Sequence, residues 1–295
     1  MVMKKTIIIG WCCLLMLINA AYAQVIPKKA FWVCGDSKVL LVDYNNSKGD
    51  TPDIIWSWDS KTATDITEEF RAKFKTVDDC KTHDDEVLVS SSTGAIAVIG
   101  MKDKKMRFYA DVASAHSIEM LPGNLLVAAA STHVKGNRIL LFDINKGNTP
   151  IYSDSLYSAH GVVWDNNRKS LFALGYTVLR EYKLNDEKNG LILKNEWKIP
   201  GNGGHDLQMA PDKKHLFVTS ETGNGEFDLE FSKFIKMIGF ADVPNVKSIE
   251  QDSRSQFIYT IPEESWWTFH VKFSNPERVF NFPDLKVYKA RWYQQ

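Results

Sequence analysis

The sequence predicts an all-β fold, a six-bladed β-propeller, on three observations. First, a basic residue followed by a small or polar residue and then an aliphatic one recurs near positions 81, 116, 160, 205 and 247. Second, most of these copies are separated by roughly 40–45 residues, the period of blade-type repeats. Third, helical periodicity is scarce, and short alternating or β-branched runs are divided by Gly, Asn, Asp and Pro, which is typical of an all-β protein.

The predicted strands fall into six units. Each of the last five units contains four strands joined by tight turns, as one propeller blade requires. The first unit contains three strands and is followed by a connection to the second. In chain order the strands are 30–35, 38–44 and 54–59; 77–82, 86–91, 95–101 and 106–110; 116–121, 124–130, 138–144 and 150–154; 160–164, 170–174, 178–184 and 191–200; 205–209, 215–220, 226–231 and 238–241; 247–250, 256–261, 267–273 and 278–282.

One further strand, 286–293, is left over at the C-terminus. Placed as the innermost strand of the first blade, it lets both ends of the chain share one sheet, which closes the ring and removes sheet edges. Six blades of about 45 residues account for residues 24–295, and no linker-like change of composition divides them. We therefore expect one propeller domain; five or seven blades, or a β-sandwich, are the alternatives.

The connection after the first unit contains the one predicted helix, residues 61–75. Asp65 is placed to cap it with a glutamate three residues later, and Ile66, Phe70 and Phe74 share one face. This helix is expected to lie in an inter-blade connection beside the face on which propellers bind their ligands.

The N-terminus predicts export. Residues 1–23 combine a charged start, an apolar stretch and an Ala-Tyr-Ala cleavage signal, the pattern of a removed secretory signal. A lipoprotein signal using Cys12 or Cys13 is the alternative, although Ile-Ile-Gly-Trp is a poor lipobox. No later stretch is long and apolar enough to span a bilayer. We expect a periplasmic or extracellular protein.

The charge balance excludes one class of partner. The 295-residue chain has 36 basic and 36 acidic side chains, whereas nucleic-acid binding usually requires a basic surplus or stripe. We expect a monomer. After cleavage only Cys34 and Cys80 would remain, either as a disulfide, which an exported location permits, or as two buried thiols.

The repeated basic residue predicts a site at the mouth of the propeller axis. His116, His160 and His205 come from three consecutive blades, and Lys247 occupies the same position in a fourth. Three imidazoles could act as general acid or base near neutral pH, and they are the candidate catalytic groups. They could alternatively bind a divalent metal.

Lysine and arginine side chains favour an anion over a metal, because cations repel a metal ion and attract a carboxylate. Lys81, Lys247 and either Lys289 or Arg291 are expected to share the ring with the histidines, and all four are candidates to bind substrate. Arg291 could bind a carboxylate through two parallel hydrogen bonds. We therefore predict no cofactor and a small anion or acidic oligosaccharide as ligand.

Two further candidates come from the last blade. Glu263 is the candidate catalytic carboxylate, although adjacent strand residues point in opposite directions, so that either Glu263 or Glu264 faces the site. Trp267, or its neighbour Trp266, could stack on a sugar ring, and packing between blades is the alternative role.

Several stretches resemble a domain-of-unknown-function family of secreted six-bladed propellers, and the resemblance covers nearly the whole mature chain. It implies the fold and export, and it brings no established activity. The recurrence of that family among secreted proteins of glycan-degrading microbes suggests carbohydrate as the ligand class. The stretches are residues 115–122, 160–165, 204–207, 246–249, 266–267 and 288–292.

These observations predict an exported propeller that binds an acidic sugar or another small anion. It would be a polysaccharide lyase or glycoside hydrolase, with His116 or His160 as base or acid. A non-catalytic binding or interaction module is the alternative. A metal-dependent, lactonase-like hydrolase is less favoured, because such propellers usually surround the metal with Glu, Asn and Asp.

Overall fold

The computed structural model describes residues 26–294 and contains six four-stranded antiparallel sheets, which confirms the six-bladed propeller. The predicted signal, residues 1–23, lies outside the described residues. No helix within 26–294 is long and apolar enough to cross a membrane.

The strands follow one another from the axis outward in each blade. Blade 1 contains β24 (Val287–Trp292), β1 (Ala30–Gly35), β2 (Lys38–Lys48) and β3 (Thr51–Asp59); blade 2, β4 (Val77–His83), β5 (Glu86–Ser91), β6 (Ala95–Gly100) and β7 (Met106–Asp111); blade 3, β8 (Ala115–Leu121), β9 (Leu125–Ala130), β10 (Arg138–Asp143) and β11 (Tyr152–Ser155); blade 4, β12 (Gly161–Asp165), β13 (Ser170–Leu174), β14 (Val178–Leu184) and β15 (Leu191–Lys198); blade 5, β16 (Gly204–Met209), β17 (His215–Ser220), β18 (Gly225–Asp228) and β19 (Lys233–Lys236); and blade 6, β20 (Ser248–Gln251), β21 (Phe257–Thr260), β22 (His270–Ser274) and β23 (Arg278–Asn281).

Closure of the ring by the C-terminal strand is confirmed. β24 pairs antiparallel with β1, with Arg291 opposite Trp32 and Ala290 opposite Val33. The last strand of the chain thus becomes the innermost strand of the first blade, and both ends of the chain are held in one sheet. Since β24 is also the source of Lys289 and Arg291, closure and the chemistry of the axis depend on the same six residues.

The predicted helix over 61–75 is wrong in extent and in its cap. The segment contains a single α-helical turn, α1 (Glu68–Arg71), flanked by 3₁₀ turns at Ser60–Thr62 and Ala72–Phe74. Thr67 caps α1 by accepting from the backbone N–H of Phe70, whereas the Asp65 carboxylate accepts from the backbone N–H of Met106 at 2.6 Å. Asp65 therefore ties the connection to blade 2, and a helix this short gains little from its own hydrogen bonds.

The outer strands of blade 5 also differ from the prediction. The fourth strand is β19, earlier in the chain than the predicted 238–241. The Asp228 carboxylate accepts from the backbone N–H groups of Glu230 and Phe231 and closes a tight turn directly after β18. The chain therefore reverses sooner than its hydrophobic pattern indicates.

Both faces of each blade pack against neighbouring blades, and this position explains why several strands are buried throughout. Every residue of β6 and of β9 is buried, so neither strand alternates between core and solvent. Between blades 6 and 1, the Phe31 ring meets the Phe273 ring edge-on at 5.1 Å. Such inter-blade layers support the axis from all sides.

The two cysteines of the described chain are free thiols. Cys34 lies on β1 and Cys80 on the neighbouring β4, and both are buried. Burial, together with a hydrogen bond to the Cys34 thiol, raises the pKa of Cys80 well above its ordinary value. This environment therefore does not activate the Cys80 thiol as a nucleophile.

Candidate functional site

The six innermost strands place equivalent residues at successive levels of the axial channel. At one end of the channel, each innermost strand contributes one residue from its first two positions or from the position just before it. We call this end the histidine mouth. Charged residues one level deeper form the ionic plug, Asp79, Asp206, Lys289 and Arg291. Lys81, Glu119, Val163, Gln208, Glu250 and Arg291 line the other end, the opposite mouth. The histidine mouth consists of Asp78, His116, His160, His205, Lys247 and Tyr288.

A repeated backbone irregularity builds the histidine mouth. The pairing of innermost and second strands shifts by one residue at Asp78, His116, His205 and Tyr288. A β-bulge of this kind re-aims the side chain of the extra residue. In this way four strands turn a bulged side chain toward a shared end of the channel, and neighbouring rings come close: the centroids of His116 and His160 are 4.3 Å apart.

The tautomer of two histidines is set by the backbone just before them. His116 Nδ1 lies 2.9 Å from the Ser114 carbonyl oxygen, and His160 Nδ1 lies 2.9 Å from the Ser158 carbonyl oxygen. Both serines have positive φ, 53° and 49°. Because a carbonyl only accepts, each Nδ1 carries the proton and each Nε2 keeps its lone pair.

The third histidine is bound to a lysine. Lys247 Nζ donates to His205 Nε2 at 2.7 Å, and the residues are 8% and 5% exposed. Within residues 26–294, no carboxylate oxygen lies within 4.0 Å of Lys247 Nζ, the distance limit for an ion pair. The ammonium therefore stands beside a neutral acceptor, and the carboxylate that favours its charged form, Glu221, lies beyond ion-pair distance.

Burial sets the charge state of this mouth. It lowers the pKa of His116 to about 4 and of His205 to about 3, and it lowers the pKa of His160 well below its ordinary value. Burial also lowers the pKa of Lys247, to about 8, and raises the pKa of Asp78 to about 7. At neutral pH the histidines are neutral acceptors, and Lys247 supplies the positive charge of the mouth.

The ionic plug closes the middle of the channel. Arg291 donates to both carboxylate oxygens of Asp206, at 2.7 and 2.6 Å, and to Asp79 Oδ1 at 3.0 Å. Lys289 Nζ lies 3.2 Å from Asp206 Oδ1 and is fully buried. Burial favours the neutral acid, yet the charges of Arg291 and Lys289 outweigh it and hold the pKa of Asp206 far below its ordinary value.

The plug corrects the sequence prediction for two cations. Arg291 does form the expected two parallel hydrogen bonds to a carboxylate, but the carboxylate is the internal Asp206. Lys289 is sealed between the two mouths. Both side chains form part of the framework of the channel. Removing Arg291 would take the main partner from Asp79 and Asp206, and removing Lys289 would take one of two cations from Asp206.

Lys81 lies at the opposite mouth, away from the predicted ring. Its Nζ donates to Glu119 Oε2 at 2.9 Å and to the Val162 carbonyl oxygen at 2.6 Å. The residue of blade 2 that matches the histidines is Asp78, three positions earlier on β4. The recurring basic pattern led to Lys81 because the equivalent residue of β4 is acidic and does not repeat that pattern.

Glu263 is held outside the histidine mouth. Its carboxylate accepts from Thr268 Oγ1 at 2.7 Å and lies 2.6 Å from His270 Nδ1 and 3.2 Å from Lys272 Nζ. Burial alone would raise its pKa, but these hydrogen bonds lower it to about 2. None of these three partners is a residue of the mouth, so Glu263 is placed as part of a local network in blade 6.

Trp267 lies near the mouth and lines a small cavity of about 180 Å³ that Tyr288 also lines. Lys286 Nζ stands 4.5 Å from the centre of the Trp267 ring, and Trp266 meets Trp267 edge-on at 4.7 Å. Trp266 is 51% exposed. An aromatic patch thus adjoins the histidine mouth through Tyr288.

Sequence reasoning missed Asp78 and Tyr288 at the histidine mouth, and it assigned no site role to the buried carboxylates of the innermost strands, Asp206, Glu119 and Glu250. One signal was available. The tripeptide Ser-Ile-Glu occurs at 117–119 and again at 248–250, and in both copies the glutamate lines the opposite mouth.

The three histidines are poorly arranged for a shared metal ion. No group of three or more His, Cys, Asp or Glu side chains in the described part of the chain is placed to hold one. The lone pair of His205 Nε2 already accepts from Lys247, and a metal ion would have to displace that ammonium.

The fold and its channel define a six-bladed β-propeller with a plugged polar axis. The chain belongs to a family of unknown function, DUF6528, whose family model matches residues 15–295. No curated protein matches it. A chain in the crystal structure of a mitotic checkpoint complex is similar, with a TM-score of 0.56, 12% sequence identity, and coverage of 84% of this chain and 70% of that chain. At this identity the similarity supports the propeller fold alone.

Proposed function

We propose that the histidine mouth binds the carboxylate of an acidic sugar, as part of an exported carbohydrate-active propeller. The observation that carries the proposal is the Lys247 ammonium, which is buried at the mouth beside the neutral His205, with no carboxylate of residues 26–294 at ion-pair distance. A buried charge without a counter-charge is costly. A ligand carboxylate would supply that counter-charge.

The neighbouring groups favour a sugar over a simple inorganic anion. The Nε2 lone pairs of His116 and His160 can accept hydrogen bonds from hydroxyl groups. Trp266 lines the small cavity that Tyr288 of the mouth also lines. The rings of Tyr157 and Tyr176, 5.5 Å apart, lie in the loops before β12 and after β13 of blade 4. Sugars present hydroxyl groups at their edges and apolar faces to such rings.

The same arrangement suits β-elimination from a uronate. With Lys247 on the carboxylate, His160 Nε2 would take the proton from the adjacent ring carbon. The bond from the next ring carbon to the glycosidic oxygen would break, and a carbon–carbon double bond would form. The departing oxygen takes up a proton, which Asp78, with a pKa raised by burial to about 7, carries near neutral pH.

The test measures binding and turnover of a galacturonate trisaccharide, with the neutral galactotriose as comparison. We expect the acidic sugar to bind and Lys247→Ala to weaken binding at least about tenfold, since a charge-assisted hydrogen bond is lost. The melting temperature should stay close to that of the wild type. Lys233→Ala, on β19 at the edge of blade 5, is the matched control and should bind like the wild type.

Three outcomes separate the alternatives. A rise in unsaturated-uronate absorbance identifies a lyase, and new reducing ends without that absorbance identify a hydrolase. Binding without turnover identifies the non-catalytic module. Equal binding by wild type and Lys247→Ala, or equal affinity for galactotriose, would overturn the site. Loss of turnover with a chelator would revive the metal-dependent alternative, and size-exclusion chromatography tests the expected monomer.

A further inference from the structure

The opposite mouth of the channel contains a second cavity, of about 260 Å³. The ionic plug separates it from the histidine mouth, because Arg291 bridges Asp79 and Asp206 across the axis. The loop after β12 and Gln294, the penultimate residue of the sequence, also contribute to its lining. A ligand here would therefore be independent of the one proposed at the other end.

Gln208 points to a ligand in this cavity. It lines the cavity and is 7% exposed, and its Nε2 has no hydrogen-bond partner within residues 26–294. Buried amide donors are nearly always paired, and an unpaired one lowers stability. A binding site is one setting in which such a group is retained.

Glu250 provides the complementary acceptor. It is 3% exposed, and burial raises its pKa to about 7 even though it accepts from the Trp292 backbone N–H at 2.7 Å and from Gln294 Nε2 at 2.5 Å. A carboxyl group near its titration point can either accept from or donate to a hydroxyl group. Glu250 and the Gln208 amide together therefore provide a hydrogen-bond acceptor and a hydrogen-bond donor in the lining of the same cavity.

The buried cations of the cavity are already paired. Lys81 pairs with Glu119 at 2.9 Å, and Arg291 pairs with the two aspartates of the plug. Lys213, a further cation of the lining, is exposed to solvent, so an anion inside the cavity would meet no unpaired buried lysine or arginine among the described lining residues. A neutral ligand would keep these pairs intact.

Two tryptophans supply flat apolar walls. Trp164 and Trp292 are 9% and 6% exposed, and both line the cavity. Their ring N–H groups are engaged, by Asn166 Oδ1 at 3.0 Å and by the Gln256 carbonyl oxygen at 3.2 Å. Since their polar edges are satisfied, the remaining ring surface is suited to apolar contact.

We infer that the opposite mouth is a binding site for a neutral polyhydroxylated molecule of about the size of one sugar ring. Its volume lies below the roughly 300–1,000 Å³ of clefts that bind drug-sized ligands, which matches a single ring. Adjacent hydroxyl groups would pair with the Gln208 amide and the Glu250 carboxyl, while a ring face lies against tryptophan.

The experiment measures binding of D-glucose, D-galactose, D-mannose and D-xylose to the full chain by ligand-observed NMR, with ethanolammonium as a charged comparison. We expect at least one neutral sugar to bind and Gln208→Leu to weaken it about tenfold or more. The same variant should unfold at an equal or higher temperature than the wild type, because the unpaired donor is gone. A purely structural glutamine would instead show a lower unfolding temperature.

Controls make the two mouths distinguishable. Gln251→Leu, on β20 but outside the lining of this cavity, should bind the neutral sugar like the wild type. Lys247→Ala should leave neutral-sugar binding unchanged, and Gln208→Leu should leave galacturonate binding unchanged. The inference is overturned if none of the four sugars binds, if Gln208→Leu binds the sugar as tightly as the wild type, or if only ethanolammonium binds.

Discussion

At the scale of single residues, the charge of the histidine mouth depends on burial more than on residue type. His116, His160 and His205 are basic side chains in the sequence, yet each is neutral near pH 7, because transfer out of water disfavours the charged imidazole. Lys247 keeps its proton at that pH, although burial lowers its pKa to about 8. The mouth therefore combines one cation with several neutral acceptors.

The buried His116 makes stability depend on pH. Its folded-state pKa is about 4, below its ordinary value of 6.5, so the unfolded chain binds the proton more tightly. Its contribution is complete above pH 6.5 and is lost as the pH falls toward 4. Asp78 acts in the opposite sense, because its raised pKa favours the folded state at low pH.

Between pH 7 and pH 4.5, the free energy of unfolding should fall less for His116→Asn than for the wild type. Urea unfolding at each pH measures both. His133→Asn, which changes an exposed ring, is the matched control and should follow the wild type. If the free energy of unfolding falls equally in the wild type and in His116→Asn, the pKa of His116 is not lowered in the folded protein.

At the scale of elements, the innermost strands approach one another so closely that one position admits only glycine. A Cβ at Gly161 on β12 would lie 2.6 Å from Leu207 Cβ and 3.1 Å from the Leu207 backbone nitrogen on β16. Blade 4 has Gly161 at the level where blades 2 and 5 have the aspartates of the plug. This close contact between strands of blades 4 and 5 narrows the channel beside the plug.

Gly161→Ala should therefore lower the free energy of unfolding by about 1–3 kcal/mol, as overpacking typically does. Gly223→Ala is the matched control, because its nearest neighbour would lie 3.7 Å from the added carbon. Urea unfolding monitored by tryptophan fluorescence gives both values. An alanine at 161 that is tolerated as well as one at 223 would mean that β12 and β16 can separate.

At the scale of the whole molecule, one buried ionic cluster links the closing strand to the rest of the ring. Arg291 and Lys289 come from β24 of blade 1, Asp79 from β4 of blade 2 and Asp206 from β16 of blade 5. Blades far apart in the sequence meet at this point, and the two mouths are separated by it. The ionic plug therefore forms the inner boundary of both proposed sites.

Arg291→Met should destabilise the protein by about 3–5 kcal/mol, because it leaves two buried carboxylates without their main partner. Arg254→Met, at an exposed position, should change stability by less than about 0.5 kcal/mol. Chemical denaturation provides the comparison. A small effect at 291 would imply that Asp79 and Asp206 take up protons or water readily, and that the plug is not rigid.

Much of the fold could be predicted, and the site could be predicted only in part. Strand periodicity and turn residues identified all six blades, and the unpaired strand at 286–293 indicated the closure that β24 makes. The His116, His160, His205 and Lys247 positions were found because they repeat. Lys81 was misplaced because it is the basic residue of β4, whereas the position equivalent to the histidines is Asp78, three residues earlier, and an acidic residue there does not repeat the basic pattern.

The sequence by itself determined the all-β class, the number of blades, the ring closure and four of the six residues of the histidine mouth, because each of these follows from local periodicity and from repetition along the chain. The tertiary structure alone decided which charges are paired. Arg291 and Lys289 were available in sequence to bind a ligand, but the ring brings them against Asp206 and Asp79. Pairing and burial depend on distances between blades, and those distances exist only once the ring has closed.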